Sequence, residues 1–325
     1  MGRIVTSGDS SYEFVTDWVK VGKDGNRAGG PTHGVQVLRD GRIVVFHQNA
    51  PGDDAIIFFD ADGNRLSSFG DYPGAHGLTA AGDALWVTDE KTAAVHKLSL
   101  DGKLIRELAP PPQSLIDDNP DPARRRFVPT WAVEMDNGDV MVADGYGTHR
   151  VYRYGPSGSL DGHLDGVGEA GRFNEPHGIE IGPTGAGGES ELWVTDRSNR
   201  RVCVYKDGSL ARHSDTACHS PAAFAFHDGL IYVAEIAGSV KILDPHLNVL
   251  ADLAQSPDIT PLTREADPGW VPLEQNRPEG WPNVAEGLLH AGSFHTPHGI
   301  DVDADGNIYV VEWYVGGRVS KLIRQ

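Results

Sequence analysis

The sequence predicts an all-β protein, a six-bladed β-propeller of four-stranded antiparallel blades around a central channel, on three observations. Short period-2 or wholly apolar runs bounded by Gly, Asp and Asn recur along the whole length, and long helical periodicity is scarce. A three-strand pattern returns at a spacing of roughly 40 to 50 residues, the range of a propeller blade; His33 and His76, for instance, are 43 residues apart. Four of the returns open on the same dipeptide, in His33-Gly34-Val35, His76-Gly77-Leu78, His177-Gly178-Ile179 and His298-Gly299-Ile300.

Taken in order, the blades open near His33, His76, Thr130, His177, Pro221 and His298. Each opening strand is followed by an apolar second strand, over residues 41–46, 84–89, 139–144, 191–196, 229–235 and 307–312. Polar turns precede these strands at residues 39–41, 136–138, 227–229 and 303–306, where Gly or Asn can take positive φ and close a hairpin. A third strand follows at 94–98, 150–154, 201–205, 239–243 and 318–322. The leading segment 12–18 is strand-like and is expected to complete the last blade, closing the ring so that no long sheet edge stays exposed. Three stretches exceed the repeat: 109–127, rich in Pro and Asp; the Gly-rich 185–190; and 255–295, which carries six prolines together with Trp270 and Trp281. The two tryptophans favour an ordered loop packed across one face. Residues 1–325 are expected to form a single propeller domain with insertions at 109–127 and 255–295.

Composition narrows the partners. With 28 Lys+Arg against 46 Asp+Glu the net charge is −18, which repels phosphate backbones and anionic lipid heads, so neither nucleic acid nor a membrane surface is an expected partner. No protein partner is implied either, and a small-molecule substrate is expected. No apolar run approaches a membrane span, and no secretory leader is visible in MGRIVTSGDSSYEF, so the chain is expected to be either cytoplasmic, the location predicted, or already trimmed of a leader. Cys203 and Cys218 are too few for a disulfide framework or a thiolate metal site, and reduced thiols are expected.

In a propeller the innermost strands line the channel, so residues at one repeat position converge on the axis. His33, His76, His177 and His298 occupy one such position and are expected to meet at a channel mouth. Neutral imidazoles converging in threes suit Zn²⁺ or another divalent transition metal and leave a further position for water or substrate. A single His-Gly could merely cap a turn, but four at one position of a six-fold ring point to a metal. Three roles are open to His33: a fourth metal ligand, a proton donor behind the ligands, or a substrate contact. One layer on stand His47, Asp89, Asp144, Asp196, Glu235 and Glu312, which could hold a structural Ca²⁺ or satisfy backbone turns. His47, Gln48, Trp131, Trp313 and Tyr314 are candidate substrate contacts near blade openings or strand ends.

Several stretches resemble the catalytic core of peptidyl-α-hydroxyglycine α-amidating lyase, a six-bladed propeller of NHL-type repeats. They are Ala75-His76-Gly77-Leu78 with Leu85-Trp86-Val87-Thr88-Asp89, Val142-Ala143-Asp144-Gly145-Tyr146-Gly147, Gly171-Arg172-Phe173-Asn174-Glu175-Pro176-His177, Trp193-Val194-Thr195-Asp196-Arg197 and Thr296-Pro297-His298. The resemblance runs blade by blade over essentially the whole chain. It implies a catalytic zinc held by His76, His177 and His298, with Tyr146 at the place of the family's catalytic tyrosine and Arg197 at that of an arginine beside the substrate. It also shows departures. Where the family has an arginine after a Phe-His pair, this chain has Phe46-His47-Gln48. The family's last metal histidine lies between Met-Pro and Asp, here Thr296-Pro297-His298-Gly299. Gly147 replaces a cysteine, and His33 replaces a small residue.

Together these readings predict a metal-dependent lyase. A metal lowers the pKa of a bound hydroxyl or polarises a carbonyl; Tyr146 removes the substrate hydroxyl proton, and C–N cleavage yields an aldehyde or keto acid. Two alternatives share the fold: a metal-dependent hydrolase of the lactonase or esterase kind, and a non-catalytic NHL-type scaffold. The histidine ring is a poor match to a calcium lactonase, because Ca²⁺ prefers oxygen ligands.

Overall fold

A computed structural model describes residues 3–7, 10–22, 29–167, 171–182, 190–214, 217–256, 284, 287 and 289–325. Six antiparallel sheets form the blades and follow one another around an axis, and a two-stranded ribbon pairs Gly166–Val167 with Gly171–Arg172. Blades one to five are four-stranded and take their strands in chain order, opening respectively with Thr32–Val37, Ala75–Ala80, Trp131–Glu134, Pro176–Gly182 and Pro221–His227. Blade six opens with Pro297–Val302 and continues through Ile308–Glu312 and Arg318–Arg324. The N-terminal strand Ser10–Val19 then pairs onto it, Phe14 opposite Leu322, and Arg3–Ser7 adds a fifth strand. The ring is thus closed by strands from both ends of the chain, as the sequence led us to expect.

Each second strand is a continuous apolar run because it is sandwiched between neighbouring blades. Leu85, Trp86 and Val87 are all fully buried, as are Val44, Val45 and Phe46. The core is therefore a set of layers between blades. Between blades one and two, Val44, Phe46, Ile56 and Phe58 meet Leu78, Leu85 and Val87. Between blades six and one, Val35, Val45 and Ile57 meet Tyr309 and Val311.

The recurring carboxylates at the second-strand ends of blades two to six fasten the adjoining loops. Asp89 accepts from Gly74 N at 2.9 Å and Thr92 N at 2.7 Å, and Asp144 from Val128 N at 2.7 Å and Thr148 N at 2.8 Å. Asp196 accepts from Asn174 N at 2.7 Å, Glu235 from Ser220 N at 3.1 Å, and Glu312 from His295 N at 2.6 Å. Asp196 and Glu312 also take the guanidinium groups of Arg201 and Arg318. Of the two roles open to this layer, these contacts show the turn-satisfying one.

The insertion 109–127 folds into a short helix, Gln113–Asp117, and a 3-10 turn, Pro122–Arg124. Trp270 and Trp281, and most of 185–190 and 255–295, lie outside the described residues. Among the described residues no helix is long and apolar enough to cross a membrane.

Candidate functional site

The four blade-opening histidines meet at the axis, each at most 1% exposed. Ring centroids of His76 and His298 are 4.9 Å apart, and His33 and His177 lie on opposite sides of that pair. His33 is 4.9 Å from His76 and 4.6 Å from His298, and His177 is 4.7 Å from each.

Strand register explains the convergence. The positions equivalent to the four histidines are Thr130 in blade three and Ala222 in blade five, because Ala132 and Phe224 pair like Leu78 two residues on. Three histidines donate Nδ1–H to the carbonyl at this same position of the next blade. His76 reaches Thr130 O at 2.8 Å, His177 reaches Ala222 O at 2.8 Å, and His298 reaches His33 O at 3.0 Å. Fixing the proton on Nδ1 leaves Nε2 as the lone-pair nitrogen aimed at the centre.

The glycine after each histidine makes that reach possible. A Cβ on Gly77 would sit 2.5 Å from Thr130 O and 2.7 Å from Trp131 Cα, and Gly178 and Gly299 face the next blade's backbone in the same way. The threonine of the Trp-Val-Thr-Asp motif adds a further tie, since Thr88 Oγ1 accepts from Gly77 N at 2.8 Å and donates to Thr130 O at 3.0 Å.

Burial holds all four imidazoles below their ordinary pKa, assisted by the Arg197 guanidinium and, for three of them, by neighbouring histidines; His76 is pulled down to about 3. They are therefore neutral at pH 7, the form a metal binds. Ligand nitrogens of His33, His76 and His298 lie within 4.8 Å of one another. Two buried ring nitrogens there, His33 Nδ1 and His298 Nε2, have no hydrogen-bond partner. Neutral donors, orphaned lone pairs and close convergence fit a divalent transition metal.

Tyr146 joins this cluster to a cleft. Its hydroxyl is 3.1 Å from Nε2 of both His76 and His177, and 3.0 Å from Arg197 Nη2, whose guanidinium also lies 5.2 Å over the phenol ring. Burial pushes the Tyr146 pKa up, and Arg197 opposes this without overcoming it. The cleft, about 620 Å³, is bounded by Tyr146, Arg197, Glu90, Glu175, His149 and Trp313, and by Arg124 and Arg126 from the 109–127 insertion.

The other candidates divide. Trp131 is buried beneath the cluster, its ring 6.3 to 6.5 Å from His76, His177 and His298. Trp313 lines the cleft 6.2 Å from His298. Gln48 reaches the cleft wall by donating to Glu90 Oε1 at 3.1 Å. His47 is turned away, its ring nitrogens 3.2 Å from Gln48 O and 3.0 Å from Asp54 O. Tyr314 packs edge-on against His295 and does not line the cleft.

Sequence reasoning missed Glu90, Glu175, His149, Arg124 and Arg126. For Glu90 a signal existed. Gln48, Glu90, Arg197 and Trp313 all stand one residue past the second-strand end, a single repeat position that rings the channel mouth.

Fold and site together define a six-bladed propeller with a neutral histidine cluster under a polar cleft. The chain is similar to peptidyl-alpha-hydroxyglycine alpha-amidating lyase 1 of Drosophila melanogaster, at 27% identity over 263 residues, covering 73% of this chain and 42% of that one. It is similar also to a probable peptidyl-alpha-hydroxyglycine alpha-amidating lyase of Caenorhabditis elegans, at 26% identity over 206 residues, covering 55% and 56%. The chain thus spans about half the length of these curated relatives. No family model matches. Among solved structures, a streptogramin B lyase superposes with TM-score 0.59 at 16% identity, covering 96% of this chain and 98% of that one. A gluconolactonase from Xanthomonas campestris superposes with TM-score 0.62 at 13% identity, covering 98% and 91%. At such identities the structural likenesses establish the propeller alone.

Proposed function

We propose that the protein is a metal-dependent lyase acting on a small hydroxylated substrate in the cleft above the histidines. The observation that carries this reading is the Tyr146 hydroxyl, held between two histidines of the cluster and the Arg197 guanidinium. His76 and His298 would hold the metal, zinc by preference, together with His33, His177 or both. When bound, the ion supplies the positive charge that makes a nearby hydroxyl acidic at neutral pH.

The remaining work belongs to the chain. Tyr146 receives the substrate hydroxyl proton, and Arg197 stabilises the phenolate from which it acts. The backbone carbonyls of Thr130, Ala222 and His33 keep the imidazoles in one tautomer and orientation. Trp131 below and Trp313 beside the cluster limit the water that reaches it. Breaking the bond between the hydroxyl-bearing carbon and its nitrogen, with the proton held by Tyr146 passed to that nitrogen, gives a carbonyl compound and an amide, a reading the curated relatives' names support.

The test is turnover of an N-acyl-α-hydroxyglycine by the purified, zinc-supplemented protein, read as glyoxylate released together with the primary amide. Enzymic release above the spontaneous rate is expected. No release, with hydrolysis of a sugar lactone instead, would transfer the site to the hydrolase class.

A further inference from the structure

The cleft holds two opposite charges that do not satisfy each other. On one wall is Arg197, 1% exposed, whose Nε and Nη1 are buried without a partner; its remaining nitrogen serves Tyr146 and, at 3.5 Å, Glu175. Glu175 is itself engaged by the Ser198 hydroxyl. On another wall is Glu90, half-buried, with Oε1 taken by Gln48 and Oε2 without a hydrogen-bond partner among the described residues.

The groups around Glu90 do not neutralise it. Asp89 beside it is occupied by backbone N–H groups, and Lys91 is turned to Pro73 O at 2.7 Å. Arg197 and Glu90 feel each other's charge without forming an ion pair. Burying an unpaired carboxylate is costly, and the cost is removed when a donor or cation arrives. Gln48 matters as much as Glu90. An arginine at residue 48 would meet the carboxylate directly and silence it, whereas the neutral amide of Gln48 orients Glu90 and leaves its charge available.

We propose that Glu90, steadied by Gln48, forms a cation-binding subsite facing Arg197, so that the cleft takes a small molecule with an ammonium group at one end and a carboxylate or similar anion at the other. This deepens the function proposed above and rests on its placing the substrate in this cleft. Arg197, on the cleft lining, supplies the positive charge that the anion faces, and Glu90 meets the ammonium with its free oxygen. Such charge-assisted bonds are among the stronger polar contacts a site can make.

The experiment is equilibrium binding, by ligand-observed NMR or calorimetry, of 4-aminobutyrate, 5-aminopentanoate and 6-aminohexanoate. Each is compared with the methyl-terminated carboxylate of matching length, and the set is run with and without added zinc. At least one amino acid is expected to bind about tenfold tighter than its methyl counterpart. That preference is expected to vanish in both Glu90→Gln and Gln48→Arg, with the affinity for the plain carboxylate retained and melting temperatures unchanged. The proposal is overturned where no amino acid outbinds its methyl counterpart, or where the preference survives in both variants. Binding requires no turnover, so a zwitterion preference without lyase activity would refute the reaction and keep the subsite.

Discussion

In the proposed reaction Tyr146 is the residue on which the chemistry turns, and its surroundings say what it lacks. Burial raises its pKa despite Arg197, so a second positive charge at the histidines is needed before it can act as a base near neutral pH. Tyr146→Phe is therefore expected to keep the bound metal and lose turnover by about two orders of magnitude or more. An unchanged rate would reduce the tyrosine to a packing residue. A different signature belongs to Glu180, three residues past His177 on the inner strand, where burial pushes the carboxyl up to about 8 and Asp301 adds to the effect. The folded protein keeps Glu180 protonated while the unfolded chain ionises it above about 4.5. The unfolded state thus binds fewer protons, and this group costs stability progressively as pH rises from there to about 8. Glu180→Gln should raise stability by about 1–3 kcal/mol at pH 8 and leave it unchanged at pH 4, as read from urea unfolding at the two pH values. Equal effects at both would mean that the carboxyl titrates normally.

At the scale of the element, the opening strand is a device for bringing histidines together. Its glycine lets adjacent inner strands approach, and the approach lets the imidazoles of His76, His177 and His298 reach the next blade. Gly77→Ala puts a methyl group into the Thr130 carbonyl and is expected to cost about 1–3 kcal/mol of stability and to weaken metal binding with it. Gly162→Ala, where the added methyl meets open space, serves as the comparison and should stay within about 0.5 kcal/mol of the parent. The repeated His-Gly was legible because periodicity alone aligns it. The carboxylates were legible as a layer with two roles open, turn-satisfying or Ca²⁺-binding, because an entry loop's N–H groups are invisible until the loop is folded. Arg124 and Arg126 were not legible at all. They arrive on an insertion with no repeat register, and only its fold brings them to the cleft. Glu90 was hidden for the opposite reason: it sits in register with Arg197 and Trp313, but comparing that position across all six blades was required to see it.

At the scale of the whole molecule, the ring turns sequence distance into proximity. His33 and His298, 265 residues apart, have ring centroids at 4.6 Å because blade six stands next to blade one. Six blades and their closure by the N-terminal strand follow from the repeat, since each blade needs neighbours to bury both faces. What the repeat did not specify is which of the four histidines would hold the metal. The resemblance pointed to His76, His177 and His298; the ligand nitrogens of His33, His76 and His298 lie within 4.8 Å of one another, and His177 stands 4.7 Å from both His76 and His298 by ring centroid and against Tyr146. The metal content of the purified protein tests the central claim most directly. About one equivalent of a transition metal is expected in the parent, lost in His76→Ala and His298→Ala while the β-sheet circular dichroism is retained; a metal-free parent with full activity would contradict the account.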